Sequence, residues 1–368
     1  RGIGLVEPNP AVGAVIVKND RIIGRGWHKK FGGSHAEINA LEDCKRLGVS
    51  PQGATMYVTL EPCCHHAKTP PCTDAIIAVG LAKVVVATID PSEHANGKGI
   101  QQLRNAGIEV LTGPCETEAR LLNAPFIKSA TTGKCWVILK WAQTIDGKLA
   151  EAEPSAFGGS GSGWISNEQS RKDAHKLRRR AQAILVGINT VIADDPLLTP
   201  RPSRANMPTR IVLDNNLRIP LDCQLLATAK KAPVLILTSE KAVQANPQIA
   251  QQISRKGAEL LIWPDIPGQS NLQFLLDELS KRGAGQLLVE GGPTVITSFL
   301  TEQLADEICV YIAPKILGQR GSASITEPMA ELTEALCLHY VDIKRFGDDV
   351  RLSGLSEKVL RELSNFEG

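Results

Sequence analysis

Three residues within one 38-residue stretch, 35–72, constrain the fold of this chain more than any other feature. His35, Cys63 and Cys72 have the chemistry of one metal site, and only a fold that brings them together can use it. One imidazole and two thiolates are a borderline-soft donor set suited to tetrahedral zinc, with a fourth position left open for water. Glu37 stands two residues past His35. At a helix start its carboxylate can face the same pocket without ligating and shuttle protons between that water and a leaving group. The plain alternative is a set of ordinary buried cysteines, because free cysteine is among the most buried residue types. The ordered set His35-x-Glu37, Pro62-Cys63 and Cys72 outweighs it.

A His-x-Glu followed by Pro-Cys-x-x-Cys marks zinc nucleobase deaminases, and here eight residues rather than two separate the cysteines. Cys64, His65 and His66 lie inside that stretch as rival ligands. Adjacent histidines on an extended segment point to opposite sides, so at most one could face the metal. Both read as substrate-loop residues.

The surrounding pattern alternates strands and helices. Strands are expected over 12–17, 55–60 and 83–89, with helices from about Ala36 to Leu47 and after Cys72, ended by Gly48 and Gly80. Such alternation predicts an α/β sandwich, and the glycines fit left-handed helix ends. His35 and Cys72 would then each open a helix, and two helix N-termini favour the thiolate form. The pattern loosens between Asn123 and Gly133, where Thr131-Thr132-Gly133 reads as a linker dividing a domain over 1–130 from one over 134–368. A chain of 368 residues suits two cores. In the second half, strands are expected at 136–141, 183–187, 210–213, 234–237, 286–290 and 308–312, with a Gly/Ser-rich loop from Gly158 to Gly163 and no second zinc set.

Composition narrows the partners. With 41 basic and 39 acidic residues the net charge is +2, which disfavours a nucleic-acid deaminase, as does the lack of clustered basic and aromatic residues. No apolar run approaches a membrane span, and nine scattered cysteines suit a reducing compartment, so the chain reads as cytoplasmic. A structural zinc protein is the remaining alternative, but a closed site wants four protein ligands and has no use for Glu37.

The second half carries weaker signals. Glu290-Gly291-Gly292-Pro293-Thr294 follows a strand and opens an apolar helix, which could place backbone N–H groups under a phosphate, although a Gly-Gly turn is more often a plain connection. Asp194-Asp195-Pro196-Leu197-Leu198-Thr199 is a loop with a candidate carboxylate, or a turn initiator. Arg178-Arg179-Arg180 could be a solvated helix end, and Trp164 a core anchor.

Taken together these motifs resemble one family. Glu7-Pro8-Asn9-Pro10-Ala11-Val12-Gly13, His35-Ala36-Glu37 and Thr59-Leu60-Glu61-Pro62-Cys63-Cys64-His65-His66 through Thr69-Pro70-Pro71-Cys72 look like the bifunctional deaminase-reductases of riboflavin biosynthesis. The second half matches the same family through Lys140, Asp146-Gly147, Trp164-Ile165-Ser166, Arg178, Thr190-Val191, Ala193-Asp194-Asp195-Pro196, Arg210-Ile211-Val212-Leu213-Asp214 and Glu290-Gly291-Gly292-Pro293.

The resemblance implies a cytidine-deaminase-like α/β/α sandwich followed by a dihydrofolate-reductase-like α/β domain. It implies zinc on His35, Cys63 and Cys72, with Glu37 as acid and base. It places NADPH on Gln143, Trp164, Thr190, Asp194, Asn215 and the run Gly292, Pro293, Thr294, Val295, Ile296, Thr297 and Ser298. Substrate would meet Ser162, Arg178, Leu198, Arg201 and Glu290. Asn9 is implied for the pyrimidine ring, with Lys68 and the Asp90-Pro91 loop for a ribose phosphate; where the family reads Asp-Pro-Asn-Pro, this chain has Asp90-Pro91-Ser92-Glu93. The expected substrate is a phosphoribosylated pyrimidine, deaminated and then reduced at its ribose by a homo-oligomer, dimer or tetramer.

Overall fold

The computed structural model describes residues 1–65, 70–151, 163–202, 207–264, 266–322 and 335–364. It divides into two compact units, one built on Arg1–Gly133 and the other on Lys134–Glu362.

The first unit is a five-stranded sheet in the order β2-β1-β3-β4-β5, formed by β1 (Gly13–Lys18), β2 (Arg21–Trp27), β3 (Thr55–Val58), β4 (Lys83–Val86) and β5 (Glu109–Thr112). β1 pairs antiparallel with β2 and β3, and β3, β4 and β5 run parallel. Its helices are α1 (Ala36–Arg46), α2 (Cys72–Ala78), α3 (Lys98–Asn105), α4 (Glu116–Leu122) and α5 (Ala124–Thr132). Ile16, Met56, Val84 and Val86 from the sheet meet Ala40, Ile76 and Leu103 from the helices in one buried cluster. Each of the larger of these side chains contributes about 1.5–3 kcal/mol on burial.

Two features were not expected. β2 returns from β1 through Asn19 and Asp20, both at positive φ, and those two residues between apolar runs were its sequence signal. The stretch read as a linker is mostly the helix α5. It starts with Pro125 in its first turn, buries Ala124 and Ile127, and ends at Gly133 with φ 67°. A nine-residue helix with only two buried apolar positions leaves too weak a periodicity to detect.

The second unit is a nine-stranded sheet in the order β11-β10-β9-β8-β12-β6-β13-β16-β15. Its strands are β6 (Trp136–Thr144), β8 (Ala183–Gly187), β9 (Thr209–Leu213), β10 (Val234–Ser239), β11 (Glu259–Trp263), β12 (Gln286–Val289), β13 (Glu307–Ala313), β15 (Leu338–Phe346) and β16 (Asp349–Ser356), while β7 (Ala150–Glu151) and β14 (Gly321–Ser322) pair separately. Seven neighbouring strands, β11 through β13, are parallel, and β16 and β15 complete the sheet antiparallel. The helices are α6 (Glu168–Arg180), α7 (Ile188–Asp194), α8 (Gln224–Ala227), α9 (Glu240–Ala245), α10 (Pro247–Arg255), α11 (Asn271–Lys281), α12 (Pro293–Thr301) and α13 (Glu357–Ser364). All of Gln286–Val289 is buried, as expected of a parallel strand covered on both faces. In such sheets ligands bind outside the carboxyl ends of the strands. Among the described residues no helix is long and apolar enough to cross a membrane.

Candidate active sites

The metal donors are assembled by two helix starts and one strand end. His35 is the N-cap of α1, and its side chain makes no capping bond, so the imidazole stays available. Its Nδ1 lies 3.4 Å from Cys63 Sγ and 3.3 Å from Cys72 Sγ. All three donor atoms fall within 4.8 Å of one another. Cys63 follows β3, and Cys72 opens α2, whose first N–H donates to Cys63 Sγ at 3.4 Å.

Close approach of α1 to β2 is what delivers His35. A Cβ on Gly26 would sit 2.1 Å from the Ala36 carbonyl oxygen, and one on Gly24 would sit 2.4 Å from Cys44 Sγ. Asn39 then fastens the helix, its Nδ2 donating to the carbonyls of Trp27, Ser34 and His35.

The donors fit zinc, which needs deprotonated thiolates beside a neutral imidazole. Hydrogen bonding from the Cys72 thiol, and then from His35, outweighs burial and lowers the Cys63 thiol, while the same shared bond and burial push Cys72 up. Glu37 is 3% exposed, and burial raises its carboxyl to about 7 against the opposing pull of its own backbone N–H and His35. It can therefore hold or release a proton near neutrality.

Residues beyond the sequence reading support this centre. Glu61, inside the Thr59-Leu60-Glu61-Pro62-Cys63 run, is buried and accepts backbone N–H groups from Asp90, Gly97, Gly99 and Ile100. It thus ties the loop at Asp90 to the chain leading into Cys63. His28 is buried with its ring 5.5 Å from that of His35. No sequence motif singled it out. His65 is exposed and faces His94 with ring centroids 5.6 Å apart. Asn9 is half-buried, and His66 and Lys68 lie outside the described residues.

In the second unit the expected reductase residues gather along the carboxyl edge of the parallel strands. Gln143 is the penultimate residue of β6, Thr190 and Asp194 lie on α7 directly after β8, Asn215 follows β9, and Glu290 with the Gly292 turn follows β12. A Cβ on Gly292 would lie 3.8 Å from Thr190 Oγ1, and one on Gly187 2.9 Å from Val295 Cγ2, so small residues let α7 and the start of α12 close on each other. Gly292 caps α12 with no side-chain acceptor, so the first-turn N–H groups after Pro293 receive no side-chain cap. Gln143 Oε1 accepts from Trp141 Nε1 at 2.8 Å, and the Asn215 carbonyl accepts from Ser239. Trp164 is 58% exposed, which excludes a core anchor, and its carbonyl is held by Lys315 Nζ at 2.8 Å. Burial raises the Asp194 carboxyl. Ser162 lies outside the described residues.

The arginine run is not a solvated helix end. Arg178 Nε and Nη2 reach both oxygens of Glu290, the shortest contact being 2.6 Å, and its Nη1 donates to the Thr199 carbonyl at 3.3 Å. Arg180 pairs with Glu307 at 3.1 Å. Burial alone would raise Glu290, but the charges of Arg178 and Lys140 prevail and hold it at about 2. His175, one helical turn before Arg178, was missed by sequence reading; burial and then the Arg178 charge lower it, with Glu290, Arg201 and Lys140 also acting on it. Its spacing from Arg178 on α6 was the available signal.

Comparison with known proteins agrees with both halves. Residues 4–88 match the cytidine and deoxycytidylate deaminase zinc-binding region, and residues 135–352 match the RibD C-terminal domain. The riboflavin biosynthesis protein RibD of Aquifex aeolicus is 45% identical over 94% of this chain and 92% of its own length. That of Escherichia coli is 38% identical over 96% and 95%. Among solved structures, Acinetobacter baumannii RibD superposes with a TM-score of 0.79 at 37% identity, covering 97% of this chain and 95% of its own. A Thermotoga maritima diaminohydroxyphosphoribosylaminopyrimidine deaminase/5-amino-6-(5-phosphoribosylamino)uracil reductase gives 0.79 at 34% identity, covering 96% and 94%. The chain belongs to the RibD family of riboflavin biosynthesis proteins and carries a zinc-binding deaminase region and an NADPH-dependent reductase region on one polypeptide.

Proposed function

We propose that residues 1–130 deaminate 2,5-diamino-6-(5-phosphoribosylamino)pyrimidin-4-one and that residues 134–368 reduce the ribosyl chain of the product to ribityl. The convergence of His35, Cys63 and Cys72 around the buried carboxyl of Glu37 carries this reading. His35, Cys63 and Cys72 would hold the zinc, which would supply the Lewis acidity that makes water nucleophilic at neutral pH. Glu37 would take one proton from water and pass it to the ring nitrogen, then take a second from the added hydroxyl and pass it to the amine, so that the C–N bond breaks, ammonia leaves and a carbonyl remains. Asn9 would hold the ring, and the loop at Asp90, which Glu61 fixes, is assigned with Lys68 to the phosphate.

In the reductase the first turn of α12 receives the cofactor phosphates from Gly292 to Ser298, with Thr190, Asp194, Asn215, Gln143 and Trp164 around the rest of the dinucleotide. NADPH supplies the hydride when bound. Arg178 fixes the Glu290 carboxylate as an acceptor for sugar hydroxyls, Arg201 supplies a cation for the phosphate, and Leu198 and Ser162 complete the substrate contacts. Assembly as a homo-oligomer and a cytoplasmic location accompany this reading.

The test uses ammonia release and NADPH oxidation on the same preparation. Glu37→Gln lowers ammonia release by roughly 10²–10⁴-fold and leaves NADPH oxidation on the deaminated pyrimidine unchanged. Loss of both activities, or of neither, rejects the assignment.

A further inference from the structure

Arg210 is the anomaly of the second unit. It lies on β9, is fully buried, and has no acidic partner among the described residues. Its two terminal nitrogens go to neutral oxygens instead, Nη1 to the Leu197 carbonyl at 3.2 Å and to Thr228 Oγ1 at 2.7 Å, Nη2 to the carbonyls of Thr228 at 3.2 Å and Ala232 at 2.5 Å. Burial without a counter-charge lowers its pKa to about 10. A buried, unpaired cation is costly, and an apolar side chain would fill the same space without that cost. What an apolar side chain could not do is tie the Leu197 loop to the Thr228–Ala232 turn.

One of those segments is the loop that follows α7. It holds two non-glycine residues at positive φ, Asp195 at 39° and Leu198 at 52°. Each is a strained conformation that persists only when its surroundings over-determine it. The loop is held at alternate residues. Gln224, at the exposed start of α8, donates its backbone N–H to Asp195 Oδ1 at 2.7 Å and its side-chain Nε2 to the Asp195 carbonyl at 2.5 Å. Arg210 takes the Leu197 carbonyl, and Arg178, already paired with Glu290, takes the Thr199 carbonyl.

We propose that Arg210 and Gln224 are positioning residues of the reductase, a clamp that holds the strained 194–199 loop so that Asp194 and Leu198 stand at the carboxyl edge of the sheet. The clamp acts through backbone carbonyls and touches neither substrate nor cofactor. Its role rests on the reductase reading of the second unit, and the deaminase in the same chain is its internal control.

The experiment uses the full chain with Arg210→Lys, Arg210→Met, Gln224→Ala and the Arg210→Lys/Gln224→Ala double variant. NADPH oxidation with the deaminated pyrimidine is resolved into kcat and KM, and ammonia release is followed alongside. Gln224→Ala, at an exposed position, lowers reductase kcat/KM several-fold with an unshifted melting temperature, as expected for one lost side-chain hydrogen bond. Arg210→Lys and Arg210→Met lower it about ten-fold or more, because small misplacement of reacting groups is amplified in the rate. Both act on one loop, so the double variant loses less than the product of the single losses. Ammonia release stays at the parent level throughout. Reductase kinetics within two-fold of the parent in both Gln224→Ala and Arg210→Lys would overturn the clamp, as would a loss that vanishes on cooling in step with the melting temperature. Failure of the parent chain to oxidise NADPH with this substrate would reject the reductase reading itself, a separate result.

Discussion

At the scale of single residues, charge pairing decides what each site can do. Arg178 and Glu290 are both largely buried, with side chains 20% and 8% exposed, and they neutralise each other. Glu290→Gln leaves the guanidinium buried without its charge partner, and the second unit is expected to lose about 3–5 kcal/mol, read as a lowered denaturation midpoint. The pH dependence has a definite sign. Glu290 is depressed from 4.5 to about 2, so its stabilisation is complete above the first value and is lost as pH falls through the second. The stability difference between parent and variant should therefore shrink across that acid window, and a difference that grows with acidification would show the pairing to be wrong. The zinc donors were legible in the sequence because few residue types offer those atoms. The Arg178–Glu290 pair was not, because 112 residues separate its members and either alone suits a surface.

At the scale of elements, the distance between α1 and β2 sets the metal site. Gly26→Ala places a Cβ against the Ala36 carbonyl, so the helix must shift and His35 with it. We expect roughly 1–3 kcal/mol of destabilisation together with reduced zinc content and slower ammonia release. Gly13→Ala is the control, since its added Cβ meets nothing within 4 Å. Equal zinc retention in the two variants would argue against helix placement as the determinant. Elements with strong periodicity or glycine ends, such as α1 and β8, were readable. α5 and β2 were not, because a half-buried amphipathic helix and an edge hairpin leave faint patterns.

At the scale of the whole molecule, two sheets with separate cores imply separable ligand responses. Calorimetry of the full chain is expected to show chelation lowering the transition of the zinc unit alone. NADPH at about 100 times its dissociation constant should raise the other by about 2.7 kcal/mol. A single transition moved by both ligands would mean that the units unfold together. By itself the sequence determined the chemistry, because donor atoms, an acid beside them and a glycine turn before a helix are local properties of residue type and order. Only the tertiary structure decided which groups are spent on one another. Arg178 holds Glu290, Glu61 gathers the loop at Asp90, and Arg210 reaches the carbonyl of Leu197 across the fold. Burial and pairing between distant segments depend on how the chain packs, and no local pattern records them.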